Sequence, residues 1–292
     1  MDTRNVQQTG EMLYLYLPTR WCKRFNLSAK SKIGIQSLPN GSLGLYPQSI
    51  EKKPAHLSFR VQSDETDSLY KLIVAAYISP ASTFKITLDK EIDFTKVLNQ
   101  KNLVSLELVE MDGNKISCES SLQVNDPLSI LTTMLRKIRN LLLVMQKDSQ
   151  KELIERYEEE IDRSKLLIEK SVVSGFYNPV QTTYKAIELH HLSLLSKSLE
   201  RMVDHLILIE KPNLLFIKKI SDSLNEFQKL LENQCSSLNC ETALEFNNKI
   251  NLLQKIKVED VTTYSIKRIV RALNAISEVI IDWAVMKEVE RS

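Results

Sequence analysis

YKAIELHHLSLLSKSLERMVDHLILIE, residues 184–210, is the stretch that decides the fold of this chain. Its apolar side chains recur at steps of three or four residues, the spacing that gathers side chains on one face of a helix. The main row consists of Tyr184, Ile187, His191, Leu194, Ser198, Met202, His205 and Ile209, and the second row consists of Leu192, Leu195, Leu199 and Leu206. A stripe of this width predicts one long amphipathic helix buried among other helices.

Two carboxylates lie beside this stripe. Glu200 and Asp204 are one helical turn apart and are therefore expected on the same side of the helix. In one interpretation they form a solvated acidic edge that pairs with Arg201 or Lys197. In the other they are two oxygen ligands of a cation, with His205 as an orienting neighbour. The spacing alone leaves both interpretations open.

The composition is that of an ordinary globular protein, with 26% charged and 43% hydrophobic residues. A chain of 292 residues is long enough for two domains, or for one helical domain with attachments. Its net charge is only +2, so any nucleic-acid surface must be local. The first residues lack the features of a signal peptide and no apolar run reaches the length of a membrane span, so we expect a cytoplasmic protein without membrane insertion.

The motifs of several common chemistries are absent from the sequence. The four cysteines are scattered without a C-x-x-C pair, which argues against a zinc knuckle or a redox dithiol. The sequence also contains no phosphate-binding glycine loop, no G-x-S-x-G elbow and no H-E-x-x-H. We therefore expect that the protein is not an enzyme.

Residues 12–47 alternate between strand and helix patterns. The sequence MLYLYLP predicts a strand, TRWCKRFNLS a short helix capped by Thr19 with Trp21 and Phe25 on one face, and KSKIGIQSL and LGLYP two strands joined by a turn at Asn40-Gly41. Such a segment is too small to bury a core alone, so we expect it to pair with a second copy of the chain.

The same N-terminal segment is basic. Through Lys53 it contains eight basic residues and three acidic residues (Asp2, Glu11 and Glu51), which gives a local charge of 8 − 3 = +5. The basic residues are Arg4, Arg20, Lys23, Arg24, Lys30, Lys32, Lys52 and Lys53. They can be interpreted as a solvated edge that discourages strand aggregation or as a DNA-binding surface.

The sequence GEMLYLYLPTRWCKRFNLSAKSKIGIQSLPNGSLGLYP, residues 10–47, resembles the AbrB/SpoVT-type swapped-hairpin domain. The likeness lies in the order of a strand, Leu-Pro, an aromatic helical turn, a second strand and an Asn-Gly-Ser hairpin. The resemblance implies a homodimer of interleaved N-terminal hairpins that binds double-stranded DNA. It assigns the DNA contacts to Arg4, Arg20, Lys23, Arg24, Lys30 and Lys32.

Residues 54–125 have a mixed pattern, which predicts a small α+β spacer rather than a separate ligand site. DSLYKLIVAAYI predicts a helix capped by Asp67 or Ser68, STFKITL a strand, and IDFTKVLNQ a short helix. LVSLELVEM and KISCESSL predict a hairpin with Asp112-Gly113-Asn114 at its turn.

Residues 126–290 have the periodicity of long helices throughout. Asp126-Pro127 predicts a capped first helix, and Gly175 together with Asn178-Pro179 predicts a break before the helix of residues 184–210. The regular lengths suggest two related three-helix units, near 126–212 and 213–290.

The sequence SLERMVDHLILIE, residues 198–210, resembles the helix signature of the PhoU family. The resemblance implies paired three-helix bundles with metal-binding acids, here Glu200 and Asp204, faced by Glu158 and Asp162 from the preceding helix. The equivalent positions of the second unit are Lys267, Arg271 and Asn251. Two acids are thus replaced by basic residues and the third by a neutral one, which would repel a cation, so we expect at most one divalent or iron-type site, in the first three-helix unit. The alternative is that Glu200 and Asp204 pair with Lys or Arg of a neighbouring helix.

Together the two resemblances point to the archaeal phosphate-uptake-regulator group. They imply a DNA-binding transcriptional regulator of phosphate uptake or homeostasis, whose helical body senses an effector or partner. The alternative is an interaction adaptor that docks on a phosphate transporter or signalling protein without binding DNA. A metal-dependent enzyme built on the four acids is disfavoured, because no nucleophile or general base stands beside them.

Overall fold

The structure is a computed structural model, and it is mostly helical with strands in its N-terminal part, as the sequence predicts. It describes residues 3–37, 41–47, 55–62, 65–97, 102–120, 122, 124–147, 151–179, 182–209, 213–232, 238–253 and 261–291. The chain divides into two compact units, Met1–Pro54 and Ala55–Ser292.

The first unit consists of two antiparallel hairpins and a short helix. Its elements are β1 (Gln7–Thr9), β2 (Met12–Tyr14), α1 (Thr19–Arg24), β3 (Ile33–Ser37) and β4 (Leu43–Pro47). Strand β1 pairs with β2, and β3 pairs with β4 in a register that joins Ser37 to Leu43. Gly10 takes a φ of 61° at the first turn, a conformation that glycine adopts without steric cost.

Three details of this unit correct or confirm the sequence-based expectations. The strand predicted in MLYLYLP is limited to β2, and its partner β1 was missed because three polar residues give no strand pattern. Thr19 does not cap α1, since the N-cap residue is Pro18, which offers no side-chain acceptor. The rings of Trp21 and Phe25 do lie on one face, edge to face with centroids 5.6 Å apart. Asn40 of the predicted turn lies outside the described residues.

The described part of the first unit has almost no interior. All residues of β1 and β2 are exposed and α1 buries none, so that Pro47 alone is buried among the described residues of this unit. Large apolar side chains remain at the surface, namely Val6, Met12, Leu13, Tyr14, Leu15, Tyr16, Ile35 and Leu43. A unit with this distribution lacks the apolar burial that stabilises an independent fold.

The second unit begins with an α+β layer. Its elements are β5 (His56–Val61), α2 (Thr66–Ile78), β6 (Thr83–Leu88), α3 (Phe94–Val97), β7 (Leu106–Asp112) and β8 (Lys115–Ser120). The sheet order is β5-β6-β8-β7, with β5 parallel to β6 and the other pairs antiparallel. The predicted hairpin turn is confirmed, because Asp112 pairs with Lys115 across Gly113 and Asn114.

Two features of this layer differ from the sequence-based reading. Strand β5 was missed, and its partner β6 lies beyond helix α2, so no local hairpin signal marked it. The N-cap of α2 is Glu65 rather than Asp67 or Ser68. The layer has its own core, which includes Tyr77, Phe84 and Ile116.

Six helices follow, and one apolar core runs through all of them. They are α4 (Pro127–Met145), α5 (Lys151–Tyr177), α6 (Ala186–Leu206), α7 (Leu214–Glu232), α8 (Cys240–Asn251) and α9 (Val261–Arg291). The predicted cap of α4 is confirmed, since the Asp126 carboxylate accepts a hydrogen bond from the Ser129 backbone N–H at 3.1 Å.

The predicted break before α6 is confirmed at Asn178-Pro179, but Gly175 takes no part in it. Helix α5 continues to Tyr177, and Gly175 is buried inside it with Leu189 of α6 close by. A Cβ atom at position 175 would lie 2.7 Å from Cδ1 of Leu189. The glycine therefore allows a close helix–helix approach and does not end the helix.

Helix α5 connects the two layers of the second unit. Leu166 packs into the core of the α+β layer, whereas Ile161 and Ile168 belong to the core of the helices. Lys170 is buried at the same junction, where its Nζ donates a hydrogen bond to the Tyr77 carbonyl at 2.6 Å and lies 4.5 Å from the centre of the Tyr77 ring.

Among the described residues, no helix is both long enough and apolar enough to span a membrane.

Candidate functional site

Helices α5 and α6 pack side by side and bring three carboxylates together. One oxygen each of Asp162, Glu200 and Asp204 lies within 4.8 Å of the others, and we call these three residues the acidic cluster. Asp162 and Glu200 are partly buried, and Asp204 is exposed. Glu158, the fourth acid predicted for the site, does not belong to this close group.

The local sequence explains how the cluster arises. Helix α6 buries Leu199, Met202 and Val203, and this apolar stripe holds Glu200 and Asp204 at its border. Asp162 follows the fully buried Ile161 of α5, so it emerges at the same α5–α6 groove. Three carboxylates consequently share the edge of an apolar interface.

The negative charge of the cluster is incompletely balanced. Burial raises the pKa of Asp162 to about 6, and the neighbouring charges of Glu200, Asp204 and Glu158 add to that effect. Burial likewise raises the pKa of Asp204 to about 6, with contributions from Glu200 and Glu158. The pKa of Glu158 is raised by burial and by Glu155 and Glu159, the nearby acids of α5. Each shift means that the charged form is disfavoured at its site.

Lys165 of α5 is the lysine of a neighbouring helix that pairs with the cluster, and the sequence did not identify which lysine this would be. Its Nζ donates a hydrogen bond to Oε1 of Glu200 at 3.0 Å, across the α5–α6 groove. Of the two predicted partners, Lys197 pairs with Glu169 at 3.6 Å, whereas the charge of the exposed Arg201 acts on Asp204 and lowers its pKa against the effects that raise it. Lys165 lies three residues after Asp162, and this i, i+3 spacing was the available signal.

The histidines of α6 face elsewhere. Nε2 of His205 accepts a hydrogen bond from Nε of Arg268 at 3.3 Å, so the proposed orienting role toward the acids is replaced by a contact with α9. His191 is buried against Trp283, with ring centroids 5.4 Å apart.

The donor set of the acidic cluster fits a single hard cation. Carboxylate oxygens suit Mg²⁺, Mn²⁺, Ca²⁺ and iron, and the uncompensated charge on Asp162 and Asp204 favours a positive ligand. Three acids are few for such a site, so water molecules would complete the coordination shell. The ammonium group of Lys165 already contacts Glu200 and would compete with the cation for that oxygen.

At the corresponding positions of the second three-helix unit, near 213–290, two residues are basic and one is neutral. Lys267 and Arg271 are exposed on α9, and Asn251 is exposed at the end of α8. Within the described ranges, the acidic cluster of α5 and α6 is the one group of acids, histidines and cysteines close enough to hold a metal ion.

The six basic residues predicted to contact DNA are all exposed. Arg20, Lys23 and Arg24 lie on α1, and the Arg24 guanidinium lies 5.5 Å from the centre of the Phe25 ring. Lys30 and Lys32 lie between α1 and β3, and Arg4 precedes β1. Six exposed cations on about thirty residues make this unit strongly positive.

The comparisons with known proteins give no relative. No protein-family model matches the chain, and neither curated proteins nor solved structures include a significant match.

Proposed function

We propose that this protein is a DNA-binding transcriptional regulator that acts as a homodimer and controls phosphate uptake or phosphate homeostasis. The first unit would have the AbrB/SpoVT-type swapped-hairpin fold and contact the duplex. The second would provide a PhoU-like helical body that responds to an effector or partner. The phosphate connection rests on the sequence resemblance, and the DNA and dimer roles rest on the arguments below.

The observation that carries the proposal is the nearly absent interior of the first unit. Apolar side chains such as Met12, Leu13 and Ile35 are 68–73% exposed, and β1 and β2 bury nothing. Exposed apolar surface on short strands favours association. A second copy of the same unit is the simplest partner, because homodimers are the commonest way in which such surfaces are buried.

The charge of the first unit favours a polyanion as its ligand. The six exposed residues Arg4, Arg20, Lys23, Arg24, Lys30 and Lys32 face no acid in any ion pair that the structure records among the described residues. Cations of this kind contribute to affinity by releasing counterions from the phosphates. Doubling the unit by dimerisation would double this surface.

The helical body would respond to the effector or partner. The acidic cluster spans α5 and α6, so a cation bound there would contact both helices and favour the arrangement that brings them together. In that role Asp162, Glu200 and Asp204 would hold the ion, which would supply a fixed positive charge. We propose no catalytic step at this site.

Binding of duplex DNA at two salt concentrations tests the DNA role. With a labelled duplex of roughly 30 base pairs, neutralisation of about 6 phosphates predicts a loss of affinity on the order of 10³ between 50 and 200 mM salt. The variant Arg20→Ala/Arg24→Ala should weaken binding and reduce the salt slope. The matched control Lys218→Ala/Lys219→Ala removes two exposed charges from α7 and should leave both unchanged.

The oligomeric state is measured on the same proteins by light scattering. A dimer that binds DNA supports the full proposal. A dimer that binds no duplex at either salt concentration would favour the adaptor, which docks on a transporter or signalling protein. Equal salt slopes for the α1 variant and its α7 control would contradict the assignment of the DNA contacts.

A further inference from the structure

Helices α6 and α9 form the seam between the two halves of the helical body. They run antiparallel, because Lys185 before α6 pairs with Glu290 near the end of α9 at 2.5 Å, whereas His205 near the end of α6 contacts Arg268 near the start of α9. Apolar side chains such as Leu199 and Leu273 fill much of the seam. It joins α4–α6 to α7–α9, together with the contact of α4 with α7.

The seam contains several buried polar side chains, in contrast to helix α4. Helix α4 buries nine side chains and all of them are apolar. Helices α6 and α9, in contrast, bury His191, Ser196, Ser198, Ser265 and Ser277. Ser196 and Ser277 are hydrogen-bonded, whereas Oγ of Ser265 and Nδ1 of His191 have no partner among the described residues. A buried polar group without a partner weakens the interface in which it lies, so these two positions are weak points of the seam.

His191 is the titratable group of the seam. Its side chain is 3% exposed and packs on Trp283, which is also 3% exposed. Neither Nδ1 of His191 nor Nε1 of Trp283 has a hydrogen-bond partner among the described residues. Only a neutral imidazole suits this environment, because no acceptor on the described residues reaches Nδ1 to stabilise a second N–H.

Few charged groups act on His191. Burial lowers its pKa, the neighbouring His190 of α6 lowers it further, and Asp282 of α9 raises it. Helices α4 and α5 also pack on α6, and no charged residue of theirs within the described ranges alters the pKa of His191. The attraction from Asp282 is the smallest of the three effects.

We propose that His191 is a proton-operated latch of the α6–α9 seam, closed when the imidazole is neutral and released when it is protonated. Protonation places a charge between two packed helices, next to an indole and without a hydrogen-bonding acceptor. The seam then opens locally, which exposes the imidazole to water. The device is independent of DNA binding and of the acidic cluster.

The direction with pH follows from linkage. The folded-state pKa of His191 lies below the ordinary value of 6.5, so the open form binds the proton more tightly than the closed form. The closed form is most favoured above pH 6.5, and the open population rises as the pH falls from 6.5 toward the folded-state pKa, below which it rises no further. Asp162 and Asp204 act in the opposite direction, because their raised pKa values favour the packed α5–α6 pair as the pH falls.

Hydrogen exchange measured by mass spectrometry at pH 7 and 5.5 tests the latch, after correction for the intrinsic exchange rates. In the full-length protein, amides of α6 and α9 should lose protection at pH 5.5, by at most about tenfold, whereas those of α4 should keep theirs. The variant His191→Phe keeps the ring and removes the titration, so its seam should stay protected. The control His190→Phe changes the adjacent, exposed histidine but keeps His191, so its α6 and α9 amides should still lose protection at pH 5.5.

The same measurement can overturn the proposal. The latch is refuted by an unmodified seam that keeps its protection at pH 5.5, or by loss of protection that is equal in α4, α6 and α9. It is also refuted when His191→Phe loses as much protection as the unmodified protein. If His191→Phe does not fold, His191→Gln serves as the second non-titrating variant with the same expected result.

Discussion

Replacing Lys170 by methionine should stabilise the protein at neutral pH and lose that advantage as the pH rises. Lys170 is 7% exposed, and burial lowers its pKa from 10.5 to about 8. A lysine whose folded-state pKa is lowered disfavours the folded state at all pH values below both pKa values. The cost then disappears as the pH rises from about 8 to 10.5, because the unfolded chain binds the proton more tightly in that range.

The magnitude follows from the size of the shift. A difference of 10.5 − 8 = 2.5 in pKa corresponds to roughly 3 kcal/mol at neutral pH, of which about 2 kcal/mol is recovered by pH 9.5. Methionine also loses the hydrogen bond to the Tyr77 carbonyl, worth about 1 kcal/mol. Lys170→Met should therefore be more stable by roughly 2 kcal/mol at pH 7 and nearly equal in stability to the unmodified protein at pH 9.5.

Urea denaturation followed by far-ultraviolet circular dichroism measures this difference at several pH values and one fixed protein concentration. The control is Lys218→Met, which removes an exposed lysine of α7 and should show no pH-dependent difference. The informative quantity is the change in the stability difference with pH, since the lost hydrogen bond contributes equally throughout. A difference between Lys170→Met and the unmodified protein that stays constant from pH 7 to 9.5 would refute the reasoning.

Three further predictions concern α5 and its neighbours. Lys165→Met removes the competing ammonium group from Glu200, so the affinity for Mn²⁺ measured by calorimetry should rise about tenfold, and unchanged affinity would contradict the competition. Asp162→Asn should raise the free energy of unfolding by roughly 1 kcal/mol at pH 7, discounted for partial exposure, because the raised pKa makes the ionised form unfavourable above pH 6. That gain should vanish near pH 4, where the native carboxyl is already protonated, and a gain of equal size at both pH values would argue against it. Gly175→Ala should lower the urea midpoint by an amount equivalent to about 1–3 kcal/mol, because the new Cβ would collide with Leu189. A stabilised variant would show instead that the higher helix propensity of alanine outweighs this contact.

The helices were the most predictable part of the fold. Their apolar periodicity is set by burial on one face, so α4 to α9 are each recognisable from the sequence. The strands β1 and β5 were missed for different reasons. Three exposed polar residues carry no pattern in β1, and the parallel partner of β5 lies beyond α2, where local signals do not reach.

The acidic cluster was predictable only in outline. The spacing of Glu200 and Asp204 places them on one side of α6, but their distance from Asp162 depends on how α5 packs against α6. The same packing decides that Glu200 pairs with Lys165 and not with Lys197. Several lysines and arginines were within sequence reach of these acids, so residue spacing alone does not select the partner.

The insertion of Leu166 and Lys170 into the α+β layer decides where the polypeptide can be cut for biochemical work. A recombinant fragment that starts at residue 126 lacks the α+β layer. The side chains of Leu166 and Lys170 on α5 would then be exposed to solvent. A fragment that starts at residue 55 keeps both side chains covered, so it is the shorter version we would express for crystallisation or spectroscopy.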